Sequence, residues 1–374
     1  MNNDNTRIEF GELRIGNIAR QHLIDICETN WASSGPKVKA FEDQWGYLFG
    51  YRHNVAVSSG TDACLNACLA LYFTGAKPGD EVIVPALSFI ATSNAVRAAG
   101  FKPVFVDVKK ETLNIDESLI ADSITEKTCG IVVVHTMGKL CNMKKIIKIA
   151  NGLPVIEDAC EAHGASKNGR LVGHWGDMSC FSFYIAHLVC CGEGGMVSTN
   201  RLDLYDVLNS TKCHGRSGLY FDHPRFGLNS KMNDMEASLG LESINSFWSI
   251  FDFRRNIVKR IRQELSDFKD IAWFSEEEDD EINCPHGFSV TLKEPDRLNV
   301  LTASLDKANI HWKRNFGCIP TQHGAFDYLS YKLGDFPNAE YIGNNGIHVG
   351  THQYLTKDNV STIISALKIG LRNV

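Results

Sequence analysis

Pro154-Val155-Ile156-Glu157-Asp158-Ala159-Cys160-Glu161-Ala162-His163-Gly164-Ala165 opens on a short apolar run, closes it with a carboxylate and continues in small residues. A run without polar alternation has no face to give to water, so Pro154–Asp158 is predicted to be a strand covered on both sides. Similar runs lie upstream at Asn54–Ser59, Glu81–Pro85, Pro103–Val108 and Gly130–Val134. Helical patterns at Asp62–Tyr72 and Ile90–Ala99 separate them. Strands alternating with helices predict an α/β domain on a mostly parallel sheet. Ligands in such sheets gather outside the carboxyl ends of the strands, which is where Asp158 lies.

From about Met235 the pattern changes. It predicts one long helix from Glu236 to about Leu265, then an α+β tail with a strand at Phe288–Leu292 and a closing helix at Asn359–Leu371. A chain of 374 residues holds about two domains at ~100–200 residues each. We place the boundary near 245, giving a large domain at 1–245 and a small one at 246–374.

Lys and Arg total 38 and Asp and Glu 44, a formal charge of −6. No basic run tracks a phosphate backbone, so nucleic acid is not an expected partner. Met1-Asn2-Asn3-Asp4-Asn5 is polar and no apolar stretch of signal or membrane-span length follows, which predicts a cytoplasmic protein without a membrane partner. The 12 cysteines are scattered and form no CxxC pair, so reduced thiols are expected. The run Glu276-Glu277-Glu278-Asp279-Asp280-Glu281 reads as a solvated loop, and no metal site is expected.

Ser58-Ser59-Gly60-Thr61 lies where a strand gives way to a helix. Backbone N–H groups and the positive helix end suit a phosphate there, and a serine helix cap is the plainer reading. Phe89 follows Pro85-Ala86-Leu87-Ser88 at another such junction, where an aromatic is often core.

These pieces occur in an order that resembles the DegT/DnrJ/EryC1/StrS family of nucleotide-sugar aminotransferases. They are Ser59–Ala63, Pro85–Thr92, Ile156–Ala165, Phe181–Met196 and Gly227–Ala237. The resemblance implies pyridoxal phosphate (PLP) fold type I, of the aspartate-aminotransferase kind. It also implies that Gly60, Thr61 and Ser182 hold the cofactor phosphate, that Phe89 stacks on the pyridine ring and that Asp158 pairs with the ring nitrogen. Glu161 falls among the cofactor contacts. Asn229 matches an asparagine that reaches the cofactor of a neighbouring subunit, which implies a homodimer. Tyr184, His214, Arg314 and His323 are candidate contacts to the sugar nucleotide, and each reads equally well as an ordinary packing or surface residue.

Two positions depart from the aminotransferases. The family lysine that bonds covalently to PLP is His187 here, and its usual glutamine is Glu161. Both changes resemble the subgroup of 3-dehydratases acting on 4-keto-6-deoxy nucleotide sugars, of the GDP-4-keto-6-deoxymannose type, as does Gly346–Gln353. A second histidine usual in that subgroup is Leu188. The CDP-sugar dehydratases add a cysteine-rich segment; here Cys213 precedes His214-Gly215-Arg216 and the next cysteine is Cys284, so no iron–sulfur cluster is expected.

The resemblance therefore implies a cofactor held without a covalent bond and resting as the amine, pyridoxamine phosphate (PMP). His187 is expected to take a proton beside that amine and return one to the departing C3 hydroxyl. A placed imidazole contributes ~10²–10⁴-fold in such roles. The substrate is a nucleotide-linked 4-keto-6-deoxy sugar, the product its 4-keto-3,6-dideoxy form, and glutamate the amino donor. An aminotransferase with a displaced lysine, and a catalytically silent PLP-fold regulator, stay open at this point.

Overall fold

The computed structural model describes residues 7–218 and 221–374, so Met1–Asn5 lies outside the described residues. In chain order the strands are β1 (His53–Val57), β2 (Glu81–Pro85), β3 (Lys102–Val106), β4 (Thr128–Val134), β5 (Val155–Asp158), β6 (Ser166–Lys167), β7 (Arg170–Leu171), β8 (Met178–Ser182), β9 (Gly195–Thr199), β10 (Ala272–Phe274), β11 (Glu281–Ile282), β12 (Gly287–Leu292), β13 (Trp312–Arg314) and β14 (Gly346–Gly350). Seven of them form one sheet in the order β1-β9-β8-β5-β4-β2-β3. Pairing is parallel from β8 through β3, and β9 runs antiparallel to both β1 and β8. Val82, Ile83, Val84, Ile131, Val133 and Ile156 are wholly buried, as uninterrupted apolar runs require when both faces are covered. The sheet has the α/β, mostly parallel architecture expected.

β8 and β9 escape a search for apolar runs because Ser179, Ser198 and Thr199 interrupt them. These polar side chains are buried yet satisfied: Trp45 Nε1 donates to Ser198 Oγ at 3.1 Å, and Ser198 Oγ donates to Asn54 Oδ1 at 2.7 Å.

The long helix predicted from Glu236 is two helices, Asp234–Asn245 and Phe247–Glu264, broken at Ser246. The first buries Ala237 and Leu241 beside Phe41 and Phe183, whereas the second carries Ile257 and Ile261 into the core of the small sheet. One straight helix cannot present its apolar stripe to both bodies. An Asn233–Glu236 capping box starts the first segment.

The small sheet is antiparallel, in the order β10-β12-β14-β13, and the closing helix Lys357–Arg372 packs on it. Asp107, just after β3, accepts from the Asn338 and Ala339 amides at 3.0 and 2.9 Å and so caps the helix Pro337–Asn345. The acidic run is the exposed loop expected at Glu276, Glu278, Asp279 and Asp280, but it is also tied to the protein by ion pairs. Glu281 is buried against Lys139 at 2.5 Å, Glu277 pairs with Arg255 and Glu276 with Lys269, so the segment clasps the body of the protein. Among the described residues no helix is long and apolar enough to cross a membrane.

Candidate active site

A cavity of about 560 Å³ opens at the carboxyl ends of the large sheet. At the end of β1 the chain turns through Ser58 and Ser59 into the helix Gly60–Ala70. Ser59 Oγ accepts from the Asp62 amide at 3.0 Å, so the cap is real. Gly60 and Thr61, at the start of this helix, line the cavity beside Ser182. A Cβ on Gly60 would lie 2.5 Å from the Ser182 Cβ, so only glycine lets β8 approach the helix end this closely. The turn combines a helix cap with a helix amino terminus of the kind that suits an anion.

Asp158 closes β5 with its carboxylate buried beneath the cavity. Thr92 Oγ1 donates to Oδ2 at 2.6 Å, the Cys160 amide to Oδ1 at 3.2 Å, and the Cys64 thiol lies 3.6 Å from Oδ2. Phe89 lines the same space and is 61% exposed, so it is not a core aromatic.

His187 sits in the loop after β8 with its ring buried and Nδ1 unpartnered. Arg254, fully buried on the helix Phe247–Glu264, fixes that loop by donating to the carbonyls of Ala186 at 3.0 Å and His187 at 3.1 Å. Gln353 holds the guanidinium in turn, accepting at 2.9 and 2.7 Å. The His286 and His163 rings lie tilted against His187, with ring centres 4.9 and 5.7 Å away. Burial, then Arg254 and Lys313, push the His187 imidazole down to about 3. It is therefore neutral near pH 7, an acceptor rather than the near-neutral titrating group that an exposed histidine would be.

Glu161 lines the wall next to it. Burial pushes its carboxyl up to about 7, against the Met137 amide that donates to Oε2 at 2.7 Å. His286 Nε2 lies 3.4 Å from Glu161 Oε1. Burial holds that ring far below its ordinary value, so the contact joins a neutral imidazole to the carboxyl and is not an ion pair.

Of the residues singled out in the sequence, His187, Gly60, Thr61, Phe89, Asp158, Glu161, Ser182, Tyr184 and Arg314 all line the cavity. Asn229, His214 and His323 do not: all three are exposed, and His323 packs over Gly317. Sequence reading missed Phe10, His286 and Lys313, which reach the cavity from the amino terminus and the small sheet. Lys313 Nζ lies 4.4 Å from the Phe10 ring centre. Arg254 was missed as well, and its only signal is a cation in the apolar stripe of a helix.

The profile of the DegT/DnrJ/EryC1/StrS aminotransferase family matches residues 14–368. The GDP-4-keto-6-deoxy-D-mannose 3-dehydratase of Yersinia pseudotuberculosis is 31% identical over 92% of this chain and 93% of its own. The GDP-perosamine synthase of Caulobacter vibrioides is 30% identical over 97% and 98%. Among solved structures, GDP-4-keto-6-deoxy-D-mannose-3-dehydratase of Escherichia coli with bound hydrated PLP superposes with a TM-score of 0.86 at 26% identity, covering 97% of this chain and 99% of that one.

Proposed function

This chain belongs to the DegT/DnrJ/EryC1/StrS aminotransferase family, and we propose that within it the protein is a PMP-dependent 3-dehydratase of a nucleotide-linked 4-keto-6-deoxy sugar. The observation that carries this reading is His187: a buried imidazole with a free ring nitrogen stands in the cavity where a covalent lysine is expected. No lysine occurs between Lys167 and Lys212.

The residues present fit the cofactor. The Gly60 turn, Thr61 and Ser182 offer donors to a phosphate, the exposed face of Phe89 offers a stacking surface, and Asp158 is a fixed carboxylate for a ring N–H. When bound, PMP supplies an amine to the C4 ketone and a protonated ring that accepts electrons. Asp158, oriented by Thr92 and the Cys160 amide, keeps that charge in place. His187, neutral at rest, would accept a proton from the carbon that bears the amine and return it to the departing C3 hydroxyl, which leaves as water. Arg254 keeps the ring at that point by gripping its loop.

Glutamate as amino donor and a homodimer complete the proposal. Asn229, exposed and outside the cavity of its own subunit, suits a residue that serves a neighbour's site. We assign cofactor binding to a large domain at 1–245, with 246–374 closing the cavity from the other side. A second reading, an aminotransferase, is favoured by one observation: Lys313 is the one lysine among the described residues that lines the cavity.

The deciding experiment combines turnover and trapping. Purified protein with PMP, glutamate and GDP-4-keto-6-deoxymannose, followed by other 4-keto-6-deoxy nucleotide sugars, should release a 3-deoxy product and ammonia, and His187→Asn should bind PMP yet release neither. Release at the wild-type rate by His187→Asn refutes the role given to His187. Borohydride reduction of the PLP-loaded protein that labels Lys313 would establish the aminotransferase reading instead.

A further inference from the structure

The floor of the cavity carries two thiols that the proposed reaction does not use. Cys64 projects from the helix Gly60–Ala70 and Cys160 follows β5, and both line the cavity together with Asp158. We propose that Cys64, Asp158 and Cys160 form a site for a thiophilic divalent cation of the zinc class in the cofactor-free chain.

Their ligand atoms all lie within 4.8 Å of one another. With Zn–S near ~2.3 Å and Zn–O near ~2.0–2.2 Å, a tetrahedral centre sets its sulfur and oxygen ligands about 3.5 Å apart. Cys64 Sγ and Asp158 Oδ2 are 3.6 Å apart. Thr92 uses one lone pair of Oδ2 and the Cys160 amide one of Oδ1, which leaves the carboxylate free acceptor positions. Two sulfurs and one carboxylate make a donor set that favours zinc or cadmium over magnesium or calcium. The open cavity provides an entry path and a fourth position for water or an anion.

One consequence rests on the proposed function, although the site itself does not. The carboxylate that would serve the cofactor ring is the one that would hold the cation, so metal and cofactor exclude each other. Zinc would then block cofactor loading and leave the loaded enzyme untouched.

The test uses the full, cofactor-free chain carrying Cys27→Ser, which removes the exposed thiol, under a phosphine reductant. Cadmium chloride should bind with one equivalent, raise the ultraviolet cadmium–thiolate band and be displaced by zinc. Cys64→Ser and Cys160→Ser should each weaken binding by more than ~10-fold. Cys190→Ser, a buried thiol away from the cavity, should leave it unchanged. Thermal unfolding checks each variant, and Cys160→Ala, at the less buried of the two cysteines, replaces any serine variant that fails to fold. Absence of the band at one equivalent, or a band intact in both the Cys64 and Cys160 variants, overturns the site. PMP added in excess should release the cation. If PMP binds while the metal stays, the metal site stands and the pairing of Asp158 with the ring falls.

Discussion

Glu161→Gln should make the protein more stable at pH 8 and leave it almost unchanged near pH 4.5. The carboxyl titrates at about 7 in the fold, against an ordinary value of 4.5, because burial penalises its charged form. The folded chain therefore binds this proton more tightly than the unfolded chain. The resulting stability is fully present below about pH 4.5, declines as pH rises and is gone above about pH 7. At 1.36 kcal/mol per pH unit the loss between pH 4.5 and 8 comes to about 3 kcal/mol. Glutamine keeps the shape and accepts from the Met137 amide but has no proton to lose, so it should escape that decline. Urea unfolding of both cofactor-free proteins across this pH range is the assay. With a slope of ~1–3 kcal/mol per molar, the gap between the two midpoints should widen by about 1 M or more towards pH 8. A gap that stays constant with pH refutes the reasoning, because every other titrating group is common to both proteins.

Asp158→Asn should keep the melting temperature within a few degrees and abolish turnover, since an amide cannot hold the ring charge; turnover near the wild-type rate would reduce Asp158 to a cap. His187→Lys should capture PLP in a borohydride-reducible covalent adduct, seen by mass spectrometry at residue 187, and lose dehydration. Arg254→Met removes a buried cation that lowers the His187 imidazole, so the NMR titration of that ring should move upward from about 3. The same variant strands the Ala186 and His187 carbonyls and should destabilise the fold by ~1–3 kcal/mol in thermal unfolding.

Local sequence was enough for the α/β class, because a parallel sheet covered on both faces writes itself as apolar runs and ends them where ligands bind. Asp158, the Gly60 turn and Phe89 were legible for that reason, and His187 stood out against the family pattern around it. Tertiary structure alone decided what surrounds them. His286, just before β12, and Lys313, in β13, come from the small sheet, more than ninety residues along the chain from His187, and no periodicity links such distant positions. The two-helix break at Ser246 follows from two cores that the continuous pattern of that segment does not distinguish. Glu281 reads as one more charge in an acidic run until Lys139 is found buried beside it. Cys64 and Cys160, ninety-six positions apart, become neighbours only because a helix packs across the sheet end that carries Asp158. Periodicity records which face of an element is buried; which residues meet there is set by the packing of elements distant in sequence.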